Sequence, residues 1–429
     1  MDGLRTLGQP AATAAVRALL GAGFPHAVLL AGPSGVGKST LALDIAAALL
    51  CVADDVAARP CRTCRGCRMV DHGNHPDVHR LAPSGAGSAI SIGGRGERGV
   101  RDLVSDLALL PVEGGARVAI IEAAQRMSED AQSALLKTLE EPPAGTTVLL
   151  CADDEERLLP TIRSRCVRIR LGPLGIRDVE AVLVDHGVAD APTAARLARI
   201  TDGRPGHAIA YALAPGAATI RGEIARTLLD LLGAGLTARL TGIRELAGRA
   251  ADLGRELDAG MVRVSAGSPE GTATPAARGS RTGRSTRAGG RAAPSAGSAG
   301  SAGTMAATGP GANEPGTADA AGDGAETTTD GPAARVPAAE RRRGALVLIG
   351  IWRSILRDLA LAGQGATDSV RDLELIDDLG ARAGALASGR AGELLRDLDL
   401  AGERLEGNVS PELVLDVLAL RWTAARRAA

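Results

Sequence analysis

The sequence predicts an α/β module built on a parallel sheet, continued by a small helical domain and an all-helical C-terminal domain. Three observations carry this. Short apolar runs alternate with helical patterns over residues 1–171, a glycine-rich loop joins the first of those runs to a helix, and beyond residue 172 only helical spacing is found. Strands that alternate with helices form βαβ units, and their strands, buried on both faces, read as continuous apolar runs.

Taken in order, the strand candidates are Ala27–Ala31, Val78–Leu81, Val118–Glu122, Thr147–Cys151 and Val167–Leu171. Residues 172–214 read as a small helical unit, with apolar spacing over Ile176–His186 and Thr193–Thr201 and breaks at Gly187 and Gly203. Residues 215–262 are helical again. Ser265–Ala339 consists almost wholly of Gly, Ala, Ser, Thr, Pro and charged residues, basic in its first half (Arg278 to Arg291) and acidic in its second (Glu314 to Asp330). Without apolar periodicity such a segment cannot offset its ordering entropy, so 263–339 is expected as a disordered insertion, a solvated linker rather than a tether for DNA or a partner. Helical spacing returns over 340–429, where Leu346, Ile349, Ile351, Trp352, Ile355 and Leu356 form a stripe. A last helix, Pro411–Arg426, carries Leu413, Val414, Val417, Leu418 and Leu420. The segments 215–262 and 340–429 are expected to pack as one domain split by the insertion.

The glycine-rich loop is Gly32-Pro33-Ser34-Gly35-Val36-Gly37-Lys38-Ser39, a full match to G-x-x-x-x-G-K-[ST] between an apolar run and the helical pattern Leu41–Leu50. Gly32, Gly35 and Gly37 let the backbone curl so that its N–H groups face phosphate oxygens, and the following helix adds its positive end. Lys38 supplies a point charge, Ser39 is placed to ligate Mg²⁺, and Thr40 follows in the first turn. ATP with Mg²⁺ is the ligand such a loop would take.

Cys61, Cys64 and Cys67 have C-x₂-C-x₂-C spacing, and Cys51 lies ten residues before Cys61. Four thiolates in one short segment suit a tetrahedral, closed, structural zinc site. Disulfides are the alternative, disfavoured in a reducing compartment. His72, His75 and His79 lie near enough to replace a ligand, and Cys151 and Cys166 read as packing residues.

Composition narrows the functional classes. The chain has 429 residues with a net charge of −1, so no global basic field points to nucleic acid. Aromatic residues make up 1%, which leaves Leu, Val, Ile and Ala to build the cores. Met1–Pro10 hold no positive region followed by an apolar run, and no stretch is long enough to span a bilayer, so a cytoplasmic location is expected. Lys38 and Lys137 are the chain's two lysines, and both fall in motifs.

The second of them stands in Ala134-Leu135-Leu136-Lys137-Thr138-Leu139-Glu140-Glu141-Pro142-Pro143, which resembles the signature of bacterial clamp-loader ATPase subunits, AAA+ proteins of the DNA polymerase III holoenzyme. The resemblance takes in Leu7-Gly8-Gln9, the phosphate loop, the cysteines, Leu159 to Cys166, and Gly203-Arg204-Pro205-Gly206-His207-Ala208, so that it covers residues 1–214 by motif. It implies an AAA+ nucleotide-binding domain over 1–171 with a zinc knot at 51–67, a helical lid over 172–214, and a helical collar over 215–262 and 340–429. It also implies partners: other clamp-loader subunits (gamma/tau and delta), with the sliding clamp and primer-template DNA engaged through the complex.

Within that resemblance, motor subunits carry an Asp-Glu pair after the third strand, where this chain has Glu122-Ala123. Glu122 keeps a carboxylate for Mg²⁺, but Ala123 has none to orient the attacking water. Ala152-Asp153 replaces a polar pair that senses the γ-phosphate, and Gly206 stands where the lid of a motor subunit has an arginine, with Arg204 beside it. These losses are the delta-prime pattern. Ser164-Arg165-Cys166 is retained, and the resemblance makes Arg165 an arginine finger acting in a neighbouring subunit's ATP site. The expected function is a largely non-hydrolysing stator, with weak or no ATPase of its own. An active motor of the gamma/tau type is the alternative, and a P-loop kinase fits the cysteines and Lys137 segment poorly.

Overall fold

The computed structural model describes residues 3–83, 89–94, 98–113, 115–214, 216–266, 337–385, 390–407 and 409–422. All lie in one compact unit. Most of the expected insertion, and the last residues of the expected final helix, lie outside the described residues.

The N-terminal module follows the order α1 (Pro10–Ala22), β1 (Ala27–Ala31), α2 (Lys38–Leu49), α3 (Arg65–Asp71), β2 (Val78–Leu81), α4 (Val100–Leu107), β3 (Arg117–Ile121), α5 (Glu129–Glu140), β4 (Thr146–Ala152), α6 (Pro160–Arg163) and β5 (Val167–Arg170). The five strands run parallel in the order β2-β3-β4-β1-β5. All five expected strands are present, three with ends shifted by one residue: β3 starts at Arg117 and stops before Glu122, β4 gains a residue at each end, and β5 stops at Arg170.

Both sheet faces are covered, which is why the central strands read as unbroken apolar runs. Alternate residues go to opposite sides. Val28, Leu30, Val118, Ile120, Leu149 and Cys151 pack with Val16 of α1 and Leu41 and Ile45 of α2. Leu29, Ala31, Ala119, Ile121, Val148 and Leu150 pack with Leu103 of α4, Leu135 of α5 and Ile162 of α6. The central strands β1, β3 and β4 are buried along their whole length, whereas β5, at an edge, is mostly exposed.

Helices α7 (Ile176–Asp185), α8 (Ala191–Ile200) and α9 (Pro205–Leu213) close a small core of Val179, Val182, Leu183, Ala194, Leu197 and Ala208. Gly187 and Gly203 follow α7 and α8 with φ of 64° and 71°, left-handed values that suit glycine at a helix exit.

The remaining helices are α10 (Ala217–Leu232), α11 (Leu236–Ala266), α12 (Ala338–Gly363), α13 (Ile376–Arg382), α14 (Arg390–Glu406) and α15 (Pro411–Arg421). They share one core that joins both sides of the insertion, with Leu228, Ile243, Trp352 and Leu418 among its members. Trp352 and Trp422 meet edge to face at 5.2 Å between ring centroids, and Trp422 Nε1 donates to Leu228 O at 3.0 Å. Two details differ from the sequence reading. Helix α11 runs on to Ala266, past the expected boundary at 262. Leu413 and Leu420 of the last helix are 60% and 53% exposed, while the unforeseen Leu415 is buried.

Candidate functional site

The phosphate loop leaves β1 at Ala31, where Gly32 N donates to Ala152 O of β4 at 3.1 Å. Gly32, Gly35 and Gly37 have φ of 151°, 81° and 103°, which only glycine adopts without strain. Gly37 ends the loop as the residue before α2, and its carbonyl accepts from Leu41 N. Lys38, Ser39 and Thr40 therefore occupy the first turn of α2, with Lys38 buried, Ser39 half-buried and Thr40 exposed.

The Lys38 ammonium is engaged within the chain. Nζ donates to Gly32 O, Pro33 O and Asp153 Oδ1, each at 2.7 Å. Asp153, just past β4, is fixed in turn by Gln125: Gln125 Nε2 donates to Asp153 Oδ2 at 3.0 Å and Asp153 N donates to Gln125 Oε1 at 3.1 Å. Gln125 reaches that position through a tight turn after β3 in which Ala123 has φ of 47°. Glu122 is held as well, its carboxylate accepting from Arg80 Nε at 3.1 Å with a second contact from the same guanidinium.

The small helical unit touches the loop directly. Gly206 N donates to Gly35 O at 2.9 Å. The His207 ring lies so close that a Cβ on Gly35 would stand 2.5 Å from its Cδ2. Burial lowers the His207 pKa from 6.5 to about 4, helped by Arg204 and Lys38 and opposed by Asp153, the charged groups that face it. The folded protein thus keeps this ring neutral while the unfolded chain protonates near 6.5. Stability is expected to fall as pH drops from 6.5 towards 4. His207→Gln should flatten that slope in melting temperature against pH.

The four thiols of Cys51, Cys61, Cys64 and Cys67 lie within 4.8 Å of one another, and no other such metal-holding group occurs among the described residues. Backbone N–H groups point at three of the sulfurs: Cys61 N at Cys51, Cys64 N at Cys61 and Cys67 N at Cys64, each at 3.4 Å. Hydrogen bonds of this kind favour thiolates, and those from Thr63 bring the Cys61 thiol down to about 5. The donor set fits a closed tetrahedral zinc ion. The histidines do not join it. His75 Nδ1 accepts from Asp77 N at 3.1 Å, His79 faces Arg117 and Asp106, and His72 ends α3. Cys151 and Cys166 are packing residues whose thiols burial pushes up to about 12.

A hub that the sequence reading missed ties the cysteine segment to the phosphate-loop helix. Asp44 of α2 is 1% exposed. Its Oδ2 accepts from Arg5 N at 3.0 Å, Thr6 N at 2.9 Å and Thr6 Oγ1 at 2.7 Å, and its Oδ1 pairs with Arg62. Arg62 also donates to Gly3 O and Asp71 Oδ1, both at 2.7 Å. The available signal was a lone carboxylate among the apolar residues of Leu41–Leu50. Asp44→Ala leaves three donors unpaired and takes one of Arg62's two carboxylate partners, and should cost about 3 kcal/mol, read as a lower urea midpoint. Asp44→Asn should cost less.

Arg165 follows α6. Its guanidinium bonds Glu140 at 2.6 Å, at the end of α5, and Thr161 O at 3.0 Å, with the side chain 35% exposed.

The family described as "DNA polymerase III, delta subunit" matches residues 10–175. The DNA polymerase III subunit delta' of Pseudomonas aeruginosa is 43% identical over 143 residues, 33% of this chain and 42% of the relative. Residues 10–175 are therefore similar to DNA polymerase III delta' subunits. The delta' subunit of Bacillus subtilis is 35% identical over 172 residues, 40% of this chain and 49% of the relative. The tau subunit of Salmonella typhimurium is 33% identical over 183 residues, 42% of this chain and 27% of the relative. This chain therefore spans half or less of each relative's length. A DNA polymerase III gamma subunit-related protein of solved structure, from Thermotoga maritima, overlaps 95% of this chain and 97% of its own at 15% identity with a TM-score of 0.36, too loose a likeness to bear on function. Among the described residues no helix is long and apolar enough to cross a membrane.

Proposed function

We propose that the chain is a cytoplasmic clamp-loader subunit of the delta-prime type, a stator that does not hydrolyse ATP itself. The observation that carries this is Ala123. The delta-prime module has a complete phosphate loop, yet at the end of β3, where motor subunits place the carboxylate that orients water, it has a methyl group. Glu122 beside it is paired with Arg80. Positioning and electrostatics supply most of phosphoryl-transfer catalysis, so a pocket without that carboxylate is a poor hydrolase.

Residues 1–171 would form the AAA+ domain, 172–214 the lid, and 215–262 with 340–429 the collar that joins gamma/tau-type and delta-type partners. Cys51, Cys61, Cys64 and Cys67 would hold a structural zinc ion, supplying a cross-link rather than chemistry. Arg165 would act in a neighbour's ATP site, and clamp and primer-template DNA would be reached through the assembled complex. A motor of the gamma/tau kind is the second reading, favoured by Lys38 and Ser39 and by the similarity to tau.

Reconstitution with gamma/tau-type and delta-type partners tests the proposal. A complex whose DNA-stimulated ATP turnover requires this chain is expected. Full turnover by the partners without it would refute the reading.

A further inference from the structure

We propose that Asp153 is an internal counter-ion that takes the place of a phosphate on Lys38, so that this phosphate loop, complete in sequence, excludes nucleotide. The inference goes beyond the stator reading and stands on the pocket's geometry alone.

A lysine ammonium has three N–H donors and no acceptor. Here all three are spent, on Gly32 O, Pro33 O and Asp153 Oδ1 at 2.7 Å each, and Lys38 is 7% exposed. A phosphate oxygen could reach Nζ only by displacing one of these partners. Two are loop carbonyls, whose bonds Lys38 would have to give up. The third is a charged carboxylate whose position is fixed from both ends by Gln125, through Asp153 Oδ2 and through Asp153 N. Gln125 thus steers Asp153 toward Lys38, although the Asp153 side chain is 38% exposed. If it were pushed off Lys38 it would remain at the end of β4 beside the incoming phosphates. The pocket would then hold like charges in place of an ion pair.

The helical lid rests on the same loop. Gly206 N is already bonded to Gly35 O, and the His207 ring rests against the same glycine. The lid contact and the ion pair are independent features that reinforce one outcome. The module's own residues thus neutralise Lys38 and hold the lid on the loop, so the lid would keep its position whatever the nucleotide state of its neighbours. For a stator that is useful: its angle does not change with ATP concentration.

The residues do not suit Mg–ATP, and Asp153 is the one whose removal would reverse that. Binding of MgATP to the 429-residue chain is measured by calorimetry for the native sequence, Asp153→Asn, and Asp153→Asn combined with Lys38→Met. The native chain is expected to show no saturable binding up to about millimolar ligand. Asp153→Asn keeps the shape and removes the charge, and should bind roughly 10²-fold tighter; Lys38→Met should abolish the gain. Asp153→Ser serves as a second variant should the asparagine protein not fold, as judged by its thermal transition. Micromolar binding by the native chain would overturn the proposal, above all if Asp153→Asn weakened it, since Asp153 would then be a magnesium ligand. A folded Asp153→Asn or Asp153→Ser protein that still binds nothing would overturn it equally. Neither result touches the Arg165 experiment, which tests the stator reading separately.

Discussion

A loader assembled with Arg165→Ala is expected to form normally and to lose ATP turnover at the site this subunit faces by roughly 10³-fold, the usual contribution of an arginine finger. Arg165 sits outside its own cradle, after α6, where Glu140 and Thr161 O hold it near the surface. Exposed ion pairs of this kind contribute about 0–1 kcal/mol, so exchanging Glu140 for a neighbour's phosphate costs little. The same weakness means that Arg165→Ala should barely change the subunit's own melting temperature. Single-turnover ATP hydrolysis by the complex, beside gel filtration to confirm assembly, separates a finger from a structural arginine. Arg165→Lys should recover little, because an ammonium lacks the fixed planar fork.

The second large effect is expected at the cysteines. Cys67→Ser should lower bound zinc from about one ion per chain to none, since a closed structural site needs all four thiolates, as measured by elemental analysis. It should also lower the melting temperature by roughly 10 °C or more, because even about 4 kcal/mol corresponds to such a shift in a domain of this size. Cys67 is fully buried in the core beside α2, and Arg62, between the ligands, is the group that neutralises Asp44. Losing the metal should therefore loosen Arg62, Asp44 and Thr6 together, and so disturb α2 on which Lys38 stands. A folded Cys67→Ser protein that retains stoichiometric zinc would show that the metal assignment is wrong.

Much of this was legible in the residues because the signals are local. The phosphate loop, its strand and its helix are contiguous, and each glycine has a backbone reason to be there. The C-x₂-C-x₂-C run fixes three ligands, and Cys51 is the one cysteine near enough to complete the set. What stayed hidden depends on pairing across the chain. The strand order β2-β3-β4-β1-β5 puts the ends of β1 and β4 side by side, which is what carries Asp153 to Lys38 over a separation of 115 residues. Sequence reasoning saw in Asp153 the loss of a γ-phosphate-sensing pair; the structure shows it paired with Lys38. Asp44 was missed because a carboxylate within an apolar helix looks like an exposed position until Arg62 and Thr6 arrive from elsewhere. In the last helix, Leu413 and Leu420 looked like core by spacing, yet they face outward, and apolarity alone does not tell a core from a surface that meets a partner.

Whether the chain has a cradle but no hydrolysis of its own is decided by ATP turnover of the isolated, zinc-replete chain. A rate at background that Lys38→Ala leaves unchanged is expected. Clear turnover that Lys38→Ala abolishes would contradict it and mark the chain as a motor.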